Sequence, residues 1–447
     1  MRTRSARARD GLFGVLVSAV FVTLGMPAER LAAQESSEDE LVTFTRDVAP
    51  ILQQNCQICH RHGSVAPFSL VTYQDARRYS RRIKDQVARR LMPPYHLDAG
   101  VGIQDIKGDW RLSEEQIETV VSWVDAGTPE GDPADMPTSP EFADKQMWQQ
   151  EELLGPPDHV IKTLPFDVPA EGGDTWWRPV VPTGITSERY IRAMEVRPSF
   201  PAGRQVVHHA NPKLLRLNED GEYQPMGNLS EYAMGKIGEI VPADAGRLIK
   251  PTDRIEWDTH YYPMGFDVEG DQIELGIWFH PEGFEPEFRQ NLRLYPLRGD
   301  ITLEPGGTAM TQGFYRWDHP VRIDSFQPHG HVHLHGMSVQ AVMPDGKVEL
   351  LSMVSDFDAR WHHSYIYEDD ASPLLPAGTV IVMTGWYENT EQNPLTDPTA
   401  WYARGSRTVD EMSHAWIAVT HLTDEGFERL VEEREAKVKI VSDDGSS

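Results

Sequence analysis

The sequence predicts a multidomain protein in which one small all-α domain precedes two all-β sandwich domains. Three observations carry this. Between residues 41 and 129, apolar positions recur at helical spacing: Ile117, Val120, Val121 and Val124 fall at i, i+3, i+4 and i+7, with Trp123 beside them. From 130 to 157 the chain turns rich in Pro, Asp, Glu and Gln, which reads as a linker. From 158 onward, short alternating runs are broken by Gly, Pro, Asn and Asp, the pattern of sandwich strands.

Residues 1–33 read as a secretory signal peptide. Arg2, Arg4, Arg7 and Arg9 form a basic start, Gly11 to Met26 is apolar apart from Ser18 and Thr23, and Ala32-Ala33 offers a small-residue cleavage site. The apolar run is short for a membrane span of about 20 residues, which favours cleavage over retention as an anchor. Removing this segment, with its net +3, takes the formal charge from −27 to about −30. So negative a field disfavours nucleic acid and anionic membranes as partners. The length, 447 residues, is enough for two or three cores.

In the helical segment, Phe44–Gln54 and Tyr73–Arg90 read as helices, and Ser113 is placed to cap a third, ended by Gly127 and Pro129. In the β region, Arg254–Trp257, Gln272–Phe279 and Thr379–Met383 read as strands. About 265 residues is generous for one sandwich, so a division near 296–304 is expected, giving domains at 158–298 and 299–424. A charged amphipathic helix and tail fill 425–447.

Both cysteines of the chain lie in Cys56-Gln57-Ile58-Cys59-His60. This spacing is that of covalent c-type haem attachment: two thiols take the vinyl groups and the adjacent His60 becomes the proximal iron ligand. A redox dithiol is the plainer alternative, but it has no need of His60. With no further cysteine, the chain is free of disulfides. Covalent haem and the leader together indicate a periplasmic or secreted protein. The segment 41–129 resembles a small cytochrome c. That resemblance includes Arg90-Leu91-Met92-Pro93-Pro94, where such domains place a distal methionine, so Met92 is the expected sixth ligand, with His62 and His96 as fallbacks. A Met/His pair suits electron transfer.

The β region carries a second set of suggestive residues. His208-His209 is a pair, His260 precedes Tyr261, and His329, His331, His333 and His335 alternate up to Gly336. On a strand, residues two apart share a face and can reach one metal ion; neutral imidazole suits copper and zinc alike. A lone histidine such as His260 is more often a hydrogen-bonded core residue. His362-His363 could supply a second ligand pair, but it reads as structural, since no metal-ligand pattern accompanies it.

Taken in order, His-His, His-Tyr, His-x-His with a following Gly, and a late Asp410-Glu411-Met412-Ser413 resemble the copper type II, ascorbate-dependent monooxygenases, the family of peptidylglycine α-hydroxylating and dopamine β-monooxygenases. Leu375-Pro376-Ala377-Gly378-Thr379, Glu388-Asn389-Thr390 and Gly405-Ser406-Arg407 add to the likeness, which runs from about Asp158 to Leu422. The resemblance implies two consecutive jelly-roll sandwiches with one copper on each. It implies that His208, His209 and His260 bind an electron-transfer copper, and that His331, His333 and Met412 bind an oxygen-activating copper. A register using His329 with His331 stays open. A thioether such as Met412 favours Cu(I). The implied activity is hydroxylation of a C–H bond of a small organic substrate by O2, as a copper-dependent monooxygenase. Two departures from the family stand out: the sandwiches lack disulfides, and the chain carries its own haem, which is expected to feed electrons from a periplasmic donor to the His208/His209/His260 copper. A non-enzymatic haem and copper electron carrier is the alternative; a haem sensor or binding module is a third reading. Trp176, Trp177, Tyr261, Tyr262, Tyr315, Trp317 and Trp361 are available to line a substrate pocket, although most aromatics are core.

Overall fold

A computed structural model describes residues 41–62, 66–140, 148–199, 202–233, 236, 238–407 and 409–444, with backbone alone for 152 and 438–444. The expected signal peptide, 1–33, lies outside the described residues. The chain from Val42 onward forms one compact unit. It is mostly β-sheet with few helices, and its strands pack as sandwiches. Among the described residues no helix is long and apolar enough to cross a membrane.

The helical segment is built from a turn at Phe44–Val48 running into Ala49–Asn55, then Tyr73–Ala88 and Glu114–Asp125. Thr72 caps the second, accepting from the Asp75 amide, and Ser113 with Gln116 forms a reciprocal capping box on the third. Phe44, Leu52, Ile83, Val87, Val120 and Trp123 close its core. The stretch Tyr95–Lys107 leaves this core and packs on the far sandwich. The Asp98 amide donates to Met353 O at 2.9 Å, Ile103 N to Leu351 O at 2.9 Å, and Lys107 N to Ile366 O at 2.7 Å. The end of the expected linker is likewise taken up: Trp148 packs edge-on to Trp278 and covers Gly276, where any Cβ would meet its ring at 2.9 Å.

The first sandwich sets one sheet, His159–Lys162, Ile273–Phe279, Arg189–Pro198 and Ala245–Ile249, against another that contains Thr175–Trp177, Arg254–Tyr261, Val207–Leu217 and Tyr223–Asn228. Ile191, Met194, Ile255, Trp257, Leu275 and Phe288 fill the space between. Alternation is blurred in Ile273–Phe279, where six successive residues are buried: one face meets this core and the other the Trp148 cover.

The second sandwich sets Thr308–Arg316, Val380–Glu388, Leu334–Val342 and Val348–Val354 against Phe288–Pro296, His414–His421 and Val321–His329. Its core, which includes Ile323, Phe326, Met337, Ile381, Ile417 and Val419, is separate from the first. Phe288–Pro296 belongs to both halves. It pairs with the first sandwich through Ala245 and Asn228 and along its whole length with His414–His421. A buried ionic joint reinforces this seam. Arg322 pairs with Asp324 at 2.8 Å and, through both terminal nitrogens at 2.8 Å, with Asp244 of the first sandwich. The helix Asp424–Asp444 closes the chain, placing Phe427 and Leu430 against the first core.

Candidate metal centres

The first centre is assembled by an irregularity in strand pairing. Val207–Leu217 runs antiparallel to Arg254–Tyr261, with His209 opposite His260 but Val207 opposite Tyr261. One extra residue, His208, is therefore squeezed into its strand. On a regular strand, consecutive side chains point to opposite faces; this bulge turns His208 and His209 to the same side, toward His260. One ligand atom from each of the three lies within 4.8 Å of the others, and among the described residues no other trio of His, Cys, Asp or Glu does so. The Nδ1 atoms of His208 and His209 are 3.2 Å apart. Trp176, the partner of His260 on the adjacent strand, lies parallel over its ring at 4.4 Å and fixes its orientation. Asp174 Oδ2 stands 3.3 Å from His260 Nε2 but outside hydrogen-bond geometry, so this buried nitrogen has no partner.

The surroundings disfavour protonation of these imidazoles. Desolvation, and then the neighbouring His260, His362 and His331, push His208 down to about 4, though its side chain keeps a face open to solvent. Burial depresses His209 well below the ordinary histidine range, and His260 also, against the opposing pull of Asp174. Three neutral imidazoles, one bearing an unsatisfied buried nitrogen, fit a copper or zinc ion.

The second group lies at the end of the neighbouring strands. Val321–His329 ends at His329, and the next strand begins at Leu334. The alternating histidines therefore do not share a strand face, as the spacing suggests; His331 and His333 sit on the turn between the two sheets, and they diverge. His333 is fully buried, its ring on Tyr402 at 4.1 Å; its Nδ1 is 3.4 Å from Glu411 but outside hydrogen-bond geometry, and neither ring nitrogen has a hydrogen-bond partner. The His331 ring instead lies 5.8 Å from that of His329. Ring proximity thus brings His331 to His329, while His333, with both ring nitrogens unsatisfied, stays a candidate ligand. Met412 joins it past the end of the ladder. The ladder ends with His329 paired with His414, and beyond it one carboxylate oxygen of Glu411 accepts from both the His331 and Met412 amides, which brings the two backbones together. Glu411, buried, locks this corner: Oε1 accepts from the amides of His331 and Met412, and Oε2 accepts from the amide of His333 at 3.0 Å. Asp410 O lies 3.0 Å from His331 Nδ1, fixing that tautomer and leaving Nε2 as the free ligand atom.

Two histidines that sequence reasoning did not place at the site are part of this group. His414 stacks on His329 at 4.2 Å, and His362 lies 5.0 Å from it. A strand-end His two residues after Met412 was a usable signal for the former. The approach of His362 depends on a loop far off in sequence.

At the Cys56–His60 turn, the amides of Cys59 and His60 both donate to Cys56 O, at 3.1 and 2.9 Å. His60 Nδ1 lies 3.1 Å from Phe68 O, which leaves Nε2 free for a metal. Burial pushes the Cys56 thiol up to about 12 and raises Cys59 too. A working redox dithiol needs a depressed thiol, so the environment argues against that use. Ile58 and Leu91 are exposed apolar side chains, 55% and 38%, of the kind a flat hydrophobic ring would cover. Covalent haem fits these residues. Met92 sits half-buried in the turn after Tyr73–Ala88, its amide bonded to Gln86 O. His62 is exposed, and His96 packs 5.7 Å from His363 of the second sandwich.

Of the aromatics, Trp176 lies at the first centre, and Trp177 and Tyr261 stack on Phe166 as core. Tyr315 and Trp317 pack edge-on around Tyr295. Tyr262, with Met264 and Phe266 beyond it, is exposed just past His260.

No family model matches the chain, and no curated protein matches it. Among solved structures, it is similar to the glycosylasparaginase PNGase F from Flavobacterium meningosepticum, at 10% identity and a TM-score of 0.29, over 60% of this chain and 97% of that one. It is also similar to the major capsid protein P2 of bacteriophage PM2, at 11% identity and a TM-score of 0.24, over 60% and 99%. Likeness at this level carries no argument about function.

Proposed function

We propose that this chain is a periplasmic or secreted copper monooxygenase with its own haem c, a helical cytochrome-like domain serving two jelly-roll-like sandwiches. The observation that carries the reading is the bulge that gathers His208, His209 and His260, with His331 and Met412 tied to one another through Glu411. When bound, two coppers would supply one-electron relay and O2 activation, for the net change R–H + O2 + 2e⁻ + 2H⁺ → R–OH + H2O.

The chain's own residues divide this task. His208, His209 and His260 would hold one ion, with Trp176 keeping His260 in line. His331, His329 and Met412 would hold the other, with Glu411 fixing the three backbone amides on which that geometry depends. His331 lies within electrostatic reach of all three residues of the first trio. Substrate would enter between the two sites, and Tyr262, Met264 and Phe266, exposed just past His260 in the chain, would offer an apolar approach for a small organic molecule.

Cys56, Cys59 and His60, with Met92 as distal ligand, would hold the haem. Arg61, next to the motif, lies within electrostatic reach of Arg204. Arg204 belongs to the turn Gly203–Val206 that leads into His208. On this reading the haem would deliver electrons to the first copper within one chain. The test is metal and haem analysis of the secreted protein, followed by O2 uptake and product analysis with candidate substrates. Two coppers per haem with hydroxylated product support the reading. One copper without product points to an electron carrier, and none removes both.

A further inference from the structure

The family resemblance gives the second centre two imidazoles and a thioether. We infer that His362 is an additional ligand there, making the set His329, His331, His362 and Met412. This rests on the proposed copper site and extends its ligand set.

His362 is 6% exposed. Its Nε2 lies 3.1 Å from Ala359 O, a contact that requires the proton on Nε2 and leaves the Nδ1 lone pair open. That Nδ1 is buried with no hydrogen-bond partner, and so is Nδ1 of His329, whose ring is 5.0 Å away. Leaving two buried imidazole nitrogens unsatisfied side by side is costly, and a shared metal ion satisfies both. A histidine whose other nitrogen is tied to a backbone carbonyl is the usual arrangement of a metal ligand, and His331 shows it as well, on Asp410 O. The adjacent His363 differs: its ring is surrounded by Tyr95, His96, Trp110 and Trp361, away from the group. Among the described residues only the first trio has its ligand atoms within 4.8 Å of one another, so this set would close on an ion by side-chain rotation.

The experiment uses the full haem-loaded chain, stripped of copper and titrated with Cu(II), with binding followed by equilibrium competition and by electron paramagnetic resonance. Wild type is expected to take two ions. His362→Gln, which can keep the bond to Ala359 O, should weaken one of them by about tenfold or more and change the nitrogen hyperfine pattern of that ion alone. His363→Gln should leave both ions as in wild type, and His208→Ala should remove the other. Two ions bound by His362→Gln with wild-type affinity and spectrum would overturn the inference while leaving the dicopper reading intact. A wild type that binds a single ion, lost in His208→Ala, would overturn the inference and the second centre. A wild type that binds no copper would overturn the proposed function itself.

Discussion

Glu411 is the residue on which the second centre turns. Its two oxygens serve three amides, those of His331, His333 and Met412, in a place without solvent. Glu411→Gln keeps the shape but leaves one oxygen in place of two, so at least one amide must face an NH2 group. The expected cost is about 1–3 kcal/mol of stability, read by denaturant unfolding. A loss of about tenfold in copper affinity at this centre alone should accompany it, with the first centre unaffected. Unchanged copper binding would show that the clamp is purely structural. Met412→Ala tests the ligand beside it. Product formation should be lost while dithionite still reduces the haem, and preserved hydroxylation would remove Met412 from the site.

At the level of strands, much of the layout was legible and the decisive geometry was not. Arg254–Trp257 and Gln272–Phe279 are visible as alternating apolar runs, and both lie in strands of the first sandwich. His208 and His209 were legible as a pair, but the bulge that turns both to one side exists only through the partner strand. The His329–His335 run misled by its own regularity. Its period of two suits a strand, yet Gly330 and the crossing between sheets make it a turn, which sends His331 and His333 apart. The segment Tyr95–Lys107 was assigned to the helical domain because it lies between two helices in sequence; its backbone partners are strands some 250 residues later, which no local pattern reveals.

Strand pairing also sets a pH response away from the metal centres. His421 Nε2 receives Asn291 Nδ2 at 2.9 Å, and its Nδ1 lies 2.7 Å from His319 Nε2. Burial, then His319 and Arg293, hold it down to about 4. A histidine depressed below its unfolded value of about 6.5 gives stability that is complete above that pH and lost as pH falls through about 4. His421→Gln should therefore flatten the fall in unfolding free energy between pH 6.5 and 4 by about 1–2 kcal/mol, allowing for solvent screening of a half-buried group. An identical slope in both proteins would contradict this assignment.

For the whole molecule, the two sandwiches are joined by a shared strand and a buried ionic seam, so their histidine groups belong to one body. Arg322 is central to that seam, with Asp324 on one side and Asp244 on the other. Arg322→Leu strands two carboxylates and should cost about 3–5 kcal/mol, seen as an early unfolding transition. The helical domain adds a third partner. Its motif turn lies near the approach to His208, while its later segment packs beside His363, so a haem held there would be built into the same body as both metal groups.

The central claim is that one chain carries one haem and two coppers. Quantifying haem by its pyridine adduct and copper by mass spectrometry on the purified, copper-reconstituted protein tests this most directly. The account predicts one covalent haem and two coppers per chain, falling to one copper in His208→Ala and to one in the double variant His331→Ala/Met412→Ala. Full occupancy in both variants, or a protein with neither group, would contradict it.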